Sequence, residues 1–198
     1  HGCAYCYARR THQYLDLGAG SDFDSKIIVK INAAKLLEEK FESRRWIGER
    51  IVFSGVTDCY QPLEANYEIT RSCLKICARY HNPIGIITKG ALVRRDADLL
   101  VQLTKESSAW VAMSIAFADD DLSKKIEPHA PRPSISFRAL EELSRLGIRT
   151  GLALAPVIPG LNDTDIADLL QQAKDAGASF AFMTLLRLPG EVEQVFLD

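Results

Sequence analysis

Short apolar runs alternate with longer amphipathic segments along the chain. The runs are continuously apolar and rich in β-branched residues, which favours strands buried on both faces, as in a parallel sheet. Residues 26–31 (KIIVKI) form the first of them. The complete set of predicted strands covers residues 26–31, 50–54, 84–88, 110–115, 150–157 and 180–186.

The segments between the strands carry apolar residues at helical spacing. Asn32 is predicted to cap the first helix with its side chain. Gly147 suits the left-handed position that ends a helix, and Gly177 is predicted to end the last helix. The predicted helices cover residues 33–41, 67–80, 97–106, 136–146 and 164–176.

Strand and helix alternate about five times, which indicates βαβ units and a parallel sheet. A doubly wound sheet and a barrel both fit this alternation. Polar, Gly and Pro residues cluster just after the strands, at 54–58, 88–90, Ser114 and 156–163. Loops at the carboxyl ends of the strands build the active site of a barrel, and no GxGxxG or Walker loop follows any strand. The pattern therefore predicts an α/β barrel or partial barrel.

Composition places the chain among ordinary globular proteins. It has 198 residues, 47% of them hydrophobic and 25% charged, and a formal net charge of −2. No linker divides it, so residues 1–198 are interpreted as one core domain. The charge predicts no non-specific nucleic-acid binding, although a local basic face stays possible. No apolar run approaches the ~20 residues of a membrane span.

The chain opens on His1 and enters a cysteine motif at once, Cys3-Ala-Tyr-Cys6. This start suggests a core domain truncated at its N-terminus. Five cysteines, an odd number, argue against a disulfide framework and predict a reducing, cytoplasmic location.

A CxxC pair alone is compatible with several sites. A redox dithiol is expected in a small thioredoxin-like unit, and a zinc site needs two further ligands that no second CxxC or HxxxH supplies. An iron–sulfur cluster is the remaining option, and it needs more than two cysteines.

The run HGCAYCYARRTHQYL resembles the end of the CxxxCxxC loop of the radical S-adenosylmethionine (SAM) superfamily. The resemblance is greatest to the branch related to spore photoproduct lyase, and it implies a partial (β/α)6-type TIM barrel without its N-terminal part. Further matching strings are KIIVKINAAKLL, SGVTDCYQPLE, IITKG, MSIAF, IEP, GLALAPVIPGLND and RLPGEV.

By this resemblance, Cys3 and Cys6 bind a [4Fe–4S] cluster, and the third cysteine is expected two positions upstream of His1. The cluster would reductively cleave SAM to a 5′-deoxyadenosyl radical that acts on an unknown substrate. An external electron donor of the flavodoxin or ferredoxin type is the implied partner.

The resemblance also implies the residues that bind SAM. Tyr5 would lie against the adenine, with Pro156 and Ile158 also in contact with it. Lys89 would meet the SAM carboxylate and Ser114 would hydrogen-bond SAM. The Gly-rich strand end that receives the SAM amino group corresponds to the segment holding Ser54, Gly55, Thr57 and Asp58.

Glu127 and Arg138 are interpreted as a structural pair, with Arg138 in reach of the SAM carboxylate. Cys59 is a candidate catalytic residue, because it follows the SAM-presenting strand, where a thiol could donate a hydrogen atom. In the lyase the hydrogen-donating cysteine aligns with Gly55.

Two cysteines and three histidines are expected to have no part in the site. Cys73 and Cys77 are predicted to be buried small hydrophobes. The histidines lack ligand spacing and are predicted to lie on the surface or in loops. They are His12, His81 and His129.

Two alternative functions remain. One is a DNA-lesion lyase acting on a flipped-out base, which would call for a basic groove at the barrel mouth. The other is a zinc-stabilised or degenerate barrel that serves as an interaction module.

Overall fold

A computed structural model describes residues 2–197 and contains one sheet of five parallel strands. The strand order follows the chain order, and the sheet is open, with β1 and β5 as its edges among the described residues. This confirms the predicted α/β class with a parallel sheet. The strands are β1 (Ile51–Phe53), β2 (Ile84–Thr88), β3 (Ala109–Ser114), β4 (Arg149–Val157) and β5 (Phe180–Leu185).

Nine α-helices lie in the described part of the chain, and three 3-10 segments accompany them. None of these helices is long and apolar enough to cross a bilayer. The helices are α1 (Ser21–Ser25), α2 (Ala33–Glu42), α3 (Glu64–Tyr67), α4 (Ile69–Arg79), α5 (Ala97–Glu106), α6 (Asp120–Ile126), α7 (Pro133–Arg145), α8 (Ile166–Asp175) and α9 (Glu191–Leu197). The 3-10 segments are Tyr7–Leu15, Ala91–Asp96 and Asp163–Asp165.

The five predicted helices are confirmed, with differences at their ends. The segment predicted from residue 67 onward is divided between α3 and α4, because Glu68 takes a left-handed conformation with φ 48°. Gly147 has φ 79°, as its predicted position requires. The prediction for Asn32 is wrong, since its side chain makes no capping hydrogen bond.

The predicted strand at residues 26–31 is wrong as well. The segment has no strand partner, and Ile31 N donates to Val29 O in a turn instead. Ile28 is 52% exposed and Ile31 is 78% exposed. A strand is stabilised by its neighbours, so β-branched composition alone does not produce one here.

Glycine and aromatic residues face each other across the sheet. Gly85 pairs with Trp110, and Gly151 pairs with Phe180. A Cβ atom at Gly85 would lie 2.3 Å from the Trp110 ring, so only glycine leaves room for the indole. The Trp110 and Phe180 rings then meet edge to face, with centroids 5.7 Å apart. These contacts join β2, β3, β4 and β5 side by side.

The main core lies between the sheet and the helices that follow the strands. Leu74, Leu100, Leu140 and Leu169 of four helices are fully buried in it. Burying one such side chain stabilises the fold by about 1.5–3 kcal/mol. Because all five strands run parallel, their carboxyl ends meet at one edge, and the loops that follow them lie together there.

Candidate active site at the carboxyl ends of the strands

Cys3 and Cys6 lie on one tight turn, in which Cys6 N donates to Cys3 O at 3.2 Å. Both are free thiols, and Cys3 is only 8% exposed. The turn packs with residues of the loops after β3 and β4, among them Phe117 and Ile158. The cysteine motif therefore contacts the edge of the sheet at which the strands end.

Burial raises the pKa of the Cys3 thiol to about 11, and the nearby Glu127 carboxylate contributes to this rise. Burial also raises the pKa of Cys6. Both groups are consequently protonated at neutral pH when no metal is bound. Thiolates are the metal-binding form, so metal binding here would release protons.

The donor set fits part of an iron–sulfur site. Cys3 and Cys6 offer two sulfur ligands from one turn. No group of three His, Cys, Asp or Glu side chains is arranged to hold a metal ion within residues 2–197. His1, which opens the motif, lies outside the described residues. The third ligand, expected upstream of it, stays a prediction.

Four polar side chains meet beside this turn, and we call them the lysine cluster: Tyr5, Lys89, Ser114 and Glu127. Lys89 Nζ donates to Glu127 Oε1 at 2.9 Å and to Ser114 Oγ at 3.1 Å. The Tyr5 hydroxyl donates to the same Glu127 oxygen. Lys89 follows β2 and Ser114 ends β3, so the ends of neighbouring strands bring the cluster together.

Charge is balanced inside the lysine cluster. Burial is the largest single influence and alone would lower the pKa of Lys89. The charge and hydrogen bond of Glu127, together with Cys3 and Asp58, raise the pKa overall. Burial and then Glu127 raise the pKa of Tyr5, whose hydroxyl is therefore neutral. Lys89 Nζ also lies 6.0 Å from the centre of the Tyr5 ring. The result is a charged ammonium, one-fifth exposed, at the carboxyl edge of the sheet.

Asp58 joins the loop after β1 to the end of β2. Its carboxylate accepts from Thr88 Oγ1 at 2.6 Å, from Lys89 N at 2.7 Å and from Tyr60 N at 2.8 Å. Both oxygens are thus engaged, and the residue positions the Lys89 backbone. Gly90 is required beside it, because a Cβ atom there would lie 2.6 Å from Tyr60 O.

Ser54 follows β1 with a positive φ of 96°, a conformation that costs a residue other than glycine about 1–3 kcal/mol. Its hydroxyl donates to Cys59 Sγ at 3.3 Å. Gly55 and Thr57 are exposed in the same loop. The Tyr7 hydroxyl donates to Gly55 O at 2.9 Å, which ties the cysteine motif to the loop after β1.

Cys59 also packs against the main core, and burial raises the pKa of its thiol. It therefore lies at the carboxyl edge as a protonated group. Cys73 and Cys77 are buried on α4, as predicted.

Asn162 holds the loop after β4, a role that the sequence analysis missed. It is 2% exposed, accepts from Ile158 N at 2.6 Å, and donates to Pro156 O and Ala116 O. The backbone of residues 156–158 is thereby fixed against the loop after β3. An asparagine in a loop rich in Gly and Pro was the signal that the sequence offered.

Arg138 lies apart from the lysine cluster, and the predicted pair with Glu127 is wrong. Ser136 of α7 lines a small cavity with Glu127, whereas Arg138, two residues later, points about 200° away around the helix. Arg138 is exposed in a surface depression with Glu141 and Asp175. This placement argues against its predicted contact with the SAM carboxylate.

Among the histidines, His12 differs from its predicted surface position. It is 7% exposed, and its Nε2 lies 2.9 Å from Lys26 O. His81 and His129 are exposed, as predicted.

A second group of buried charges, which the sequence analysis also missed, joins the loops after β1 and β2. We call it the arginine network: Tyr60, Glu64, Arg71, Arg95 and Asp96. Arg95 binds Asp96 through Nε and Nη2, at 2.8 and 2.9 Å, and binds Glu64 at 2.7 Å. Arg71 and the Tyr60 hydroxyl also donate to Asp96, at 2.8 and 2.9 Å. Both carboxylates are at most 5% exposed.

Curated proteins similar to this chain are uncharacterised. A protein of Mycobacterium tuberculosis is 33% identical over 199 residues, covering 100% of this chain and 58% of its own length. A protein of Methanocaldococcus jannaschii is 33% identical over 165 residues, covering 83% of this chain and 59% of its own length. The chain thus spans less than two thirds of the relatives it matches.

Two solved structures share the fold. A point mutant of spore photoproduct lyase has a TM-score of 0.67 and 15% identity, covering 98% of this chain and 56% of that one. Streptococcus suis SuiB, solved with its precursor peptide SuiA, has a TM-score of 0.53 and 12% identity, covering 70% and 28%. These likenesses confirm the partial TIM-barrel-like fold.

The family model of the Radical SAM superfamily matches residues 1–173, which include the cysteine turn, the lysine cluster and the loops after β1 to β4. The resemblance inferred from the sequence motifs is therefore confirmed, and the chain belongs to the Radical SAM superfamily.

Proposed function

We propose that this chain is the core of an enzyme that cleaves SAM reductively to a 5′-deoxyadenosyl radical. Cys3 and Cys6 would supply two thiolate ligands to a [4Fe–4S] cluster, whose electron drives the cleavage. A reduced flavodoxin or ferredoxin would supply that electron. The observation that carries the proposal is the ammonium of Lys89, held beside the cysteine turn by Ser114 at the end of β3 and by Glu127 just after α6.

Lys89 is suited to bind the carboxylate of SAM. A buried cation needs an acidic partner, and Glu127 supplies one within the protein. Two of the three ammonium N–H groups are used in hydrogen bonds to Glu127 and Ser114, which leaves one for a ligand. A hydrogen bond between an ammonium and a carboxylate is worth about 1.5–3 kcal/mol.

The remaining residues would enclose the cofactor. Ser114 lies within hydrogen-bond distance of Lys89 and offers a hydroxyl to the same ligand. Tyr5 and Ile158 belong to one apolar group around the turn, suited to contact adenine. Pro156 lies near the end of β4, where Asn162 donates to its carbonyl, and Gly55 and Thr57 are exposed where the SAM amino group would lie.

The test uses full-length protein, reconstituted anaerobically with iron and sulfide. We expect about one [4Fe–4S] cluster per chain and, with a strong reductant, conversion of SAM to 5′-deoxyadenosine. In Lys89→Ala, SAM affinity should fall roughly ten- to a hundredfold while the cluster absorption is retained.

The matched control is Lys105→Ala, which removes an exposed lysine from α5 and should leave SAM affinity unchanged. Stoichiometric zinc in place of iron, without SAM cleavage, would contradict the proposed function and favour the zinc-stabilised alternative. Unchanged SAM affinity in Lys89→Ala would remove Lys89 from the cofactor site.

A further inference from the structure

Arg9 is almost completely buried just after the cysteine turn. It is 2% exposed, whereas the neighbouring Arg10 is exposed. Its Nε and Nη2 donate to Cys3 O at 3.2 and 3.1 Å, and its Nη1 donates to Ala19 O at 2.7 Å. Nη2 also binds Asp24 Oδ1 at 3.0 Å.

These contacts make Arg9 a link between two segments. The Cys3 carbonyl accepts from both guanidinium nitrogens and from Cys6 N, so three donors fix one oxygen within the turn. The other side of the guanidinium holds the backbone at Ala19, and its carbon lies 4.8 Å from the centre of the Phe23 ring. The planar, rigid fork of arginine allows this double contact, and lysine does not offer it.

Burying a guanidinium is costly, and its salt bridge does not explain the burial. Asp24 is 43% exposed, so the pair contributes little beyond a surface salt bridge. The carbonyls of Cys3 and Ala19 are the buried partners. The arrangement therefore directs a permanent charge at the backbone of the cysteine turn.

We propose that Arg9 is a positioning residue that holds the Cys3–Cys6 turn in its ligand-presenting shape before any metal binds. The inference rests on the proposed function, because it takes Cys3 and Cys6 as cluster ligands. The claim that Arg9 orders the turn does not depend on that assignment, because the order of the turn can be measured in metal-free protein.

The first experiment measures backbone hydrogen exchange of metal-free, full-length protein. In Arg9→Lys, the Cys6 amide should exchange roughly tenfold faster or more, because its acceptor carbonyl loses the fork. Exchange in α5, whose buried leucines belong to the main core, should not change. Arg10→Lys, the matched control, should leave both segments as in the wild type.

The second experiment measures iron release from the reconstituted protein to a chelator. Arg9→Lys and Arg9→Met should lose iron roughly tenfold faster or more than the wild type and the Arg10→Met control. Wild-type exchange at Cys6 together with wild-type iron release in Arg9→Lys would overturn the inference. Equal effects of Arg9→Met and Arg10→Met would overturn it too.

The two proposals fail in distinguishable ways. A wild-type protein that binds no cluster contradicts the proposed function, while the exchange experiment still decides the role of Arg9. If Arg9→Met fails to fold, the lysine variant retains the charge and most of the volume, so its exchange and iron release decide the matter.

Discussion

The lysine cluster and the arginine network both bury charges at the carboxyl edge of the sheet, but they are built differently. In the arginine network, planar guanidinium forks face carboxylates, and Asp96 accepts from three side chains. In the lysine cluster, a single ammonium on a flexible stem faces one carboxylate. Arginine forks fix geometry, whereas lysine can exchange one partner for another. The arginine network is therefore suited to hold the loops in place, whereas the lysine cluster is suited to bind a ligand.

Breaking the arginine network should have the largest effect on stability. Asp96→Asn removes a fully buried carboxylate and leaves two guanidinium groups with one acid fewer. We expect the free energy of unfolding to fall by about 3 kcal/mol, as when one partner of a buried ion pair is removed. Urea unfolding of the metal-free protein measures this loss.

The same variant tests the pH dependence. Burial would raise the pKa of Asp96, but the hydrogen bonds from Arg95, Arg71 and Tyr60 outweigh it, and the pKa is lowered. The stabilisation of the fold by the ionised Asp96 carboxylate is therefore complete above the unfolded pKa of about 3.9. It is lost as the pH falls through the lowered pKa of the folded state. The variant and the wild type should therefore differ less in their free energy of unfolding at a pH well below the unfolded pKa than at pH 7. An equal difference at both pH values would contradict this assignment.

A smaller effect, and one that depends on the ligand, is expected in the lysine cluster. Glu127→Gln leaves the Lys89 ammonium without its counter-charge, which should cost about 2 kcal/mol. A SAM carboxylate would replace that charge, so SAM should raise the melting temperature of the variant more than that of the wild type. Asp96→Asn is the control, with a SAM-induced shift equal to that of the wild type. Equal shifts in all three proteins would mean that Lys89 does not meet the SAM carboxylate.

The smallest effect on stability is expected at Cys59, which lies between the strand end and the main core. Cys59→Ala should change the free energy of unfolding by about 1 kcal/mol or less. Iron content and SAM cleavage should stay near wild type, while product formation from the enzyme's substrate falls. Cys73→Ala, on α4, is the control and should not alter the product. A variant without iron would make Cys59 a ligand, and an unaltered product yield would end its candidacy as a hydrogen donor.

Local patterns predicted most of the fold because the strands and helices are themselves local. The apolar run at residues 84–88 became β2 without change. Residues 26–31 are also rich in β-branched residues but form no strand, because no strand lies beside them among the described residues. A β-branched composition favours a strand, but the strand forms only where the rest of the molecule supplies a neighbour to pair with.

The site was predictable as far as its motifs were local. Lys89 follows β2 and Ser114 ends β3, and the parallel sheet brings them to one edge, where Lys89 donates a hydrogen bond to Ser114. The partner of Glu127 is Lys89, 38 residues away in the chain, whereas Arg138 was interpreted as its partner from the sequence. Arg9 and Arg10 are the same residue type, and arginine is rarely buried, so the sequence offers no reason to expect one of them inside the protein. Only the path of the backbone at Cys3 and Ala19 decides which of them turns inward.

The hydrogen bond from Tyr5 to Glu127 spans 122 positions of the chain, although the sheet between them is built from successive neighbours. At a synthesis rate of about 5–20 residues per second, the cysteine turn leaves the ribosome roughly 6–24 s before its carboxylate partner. During that interval Glu127 is not available to bind Tyr5 of the turn. The turn can close over the edge of the sheet only after β3 and α6 have emerged, so residues that precede all five strands in the chain are enclosed only after the third strand has been made.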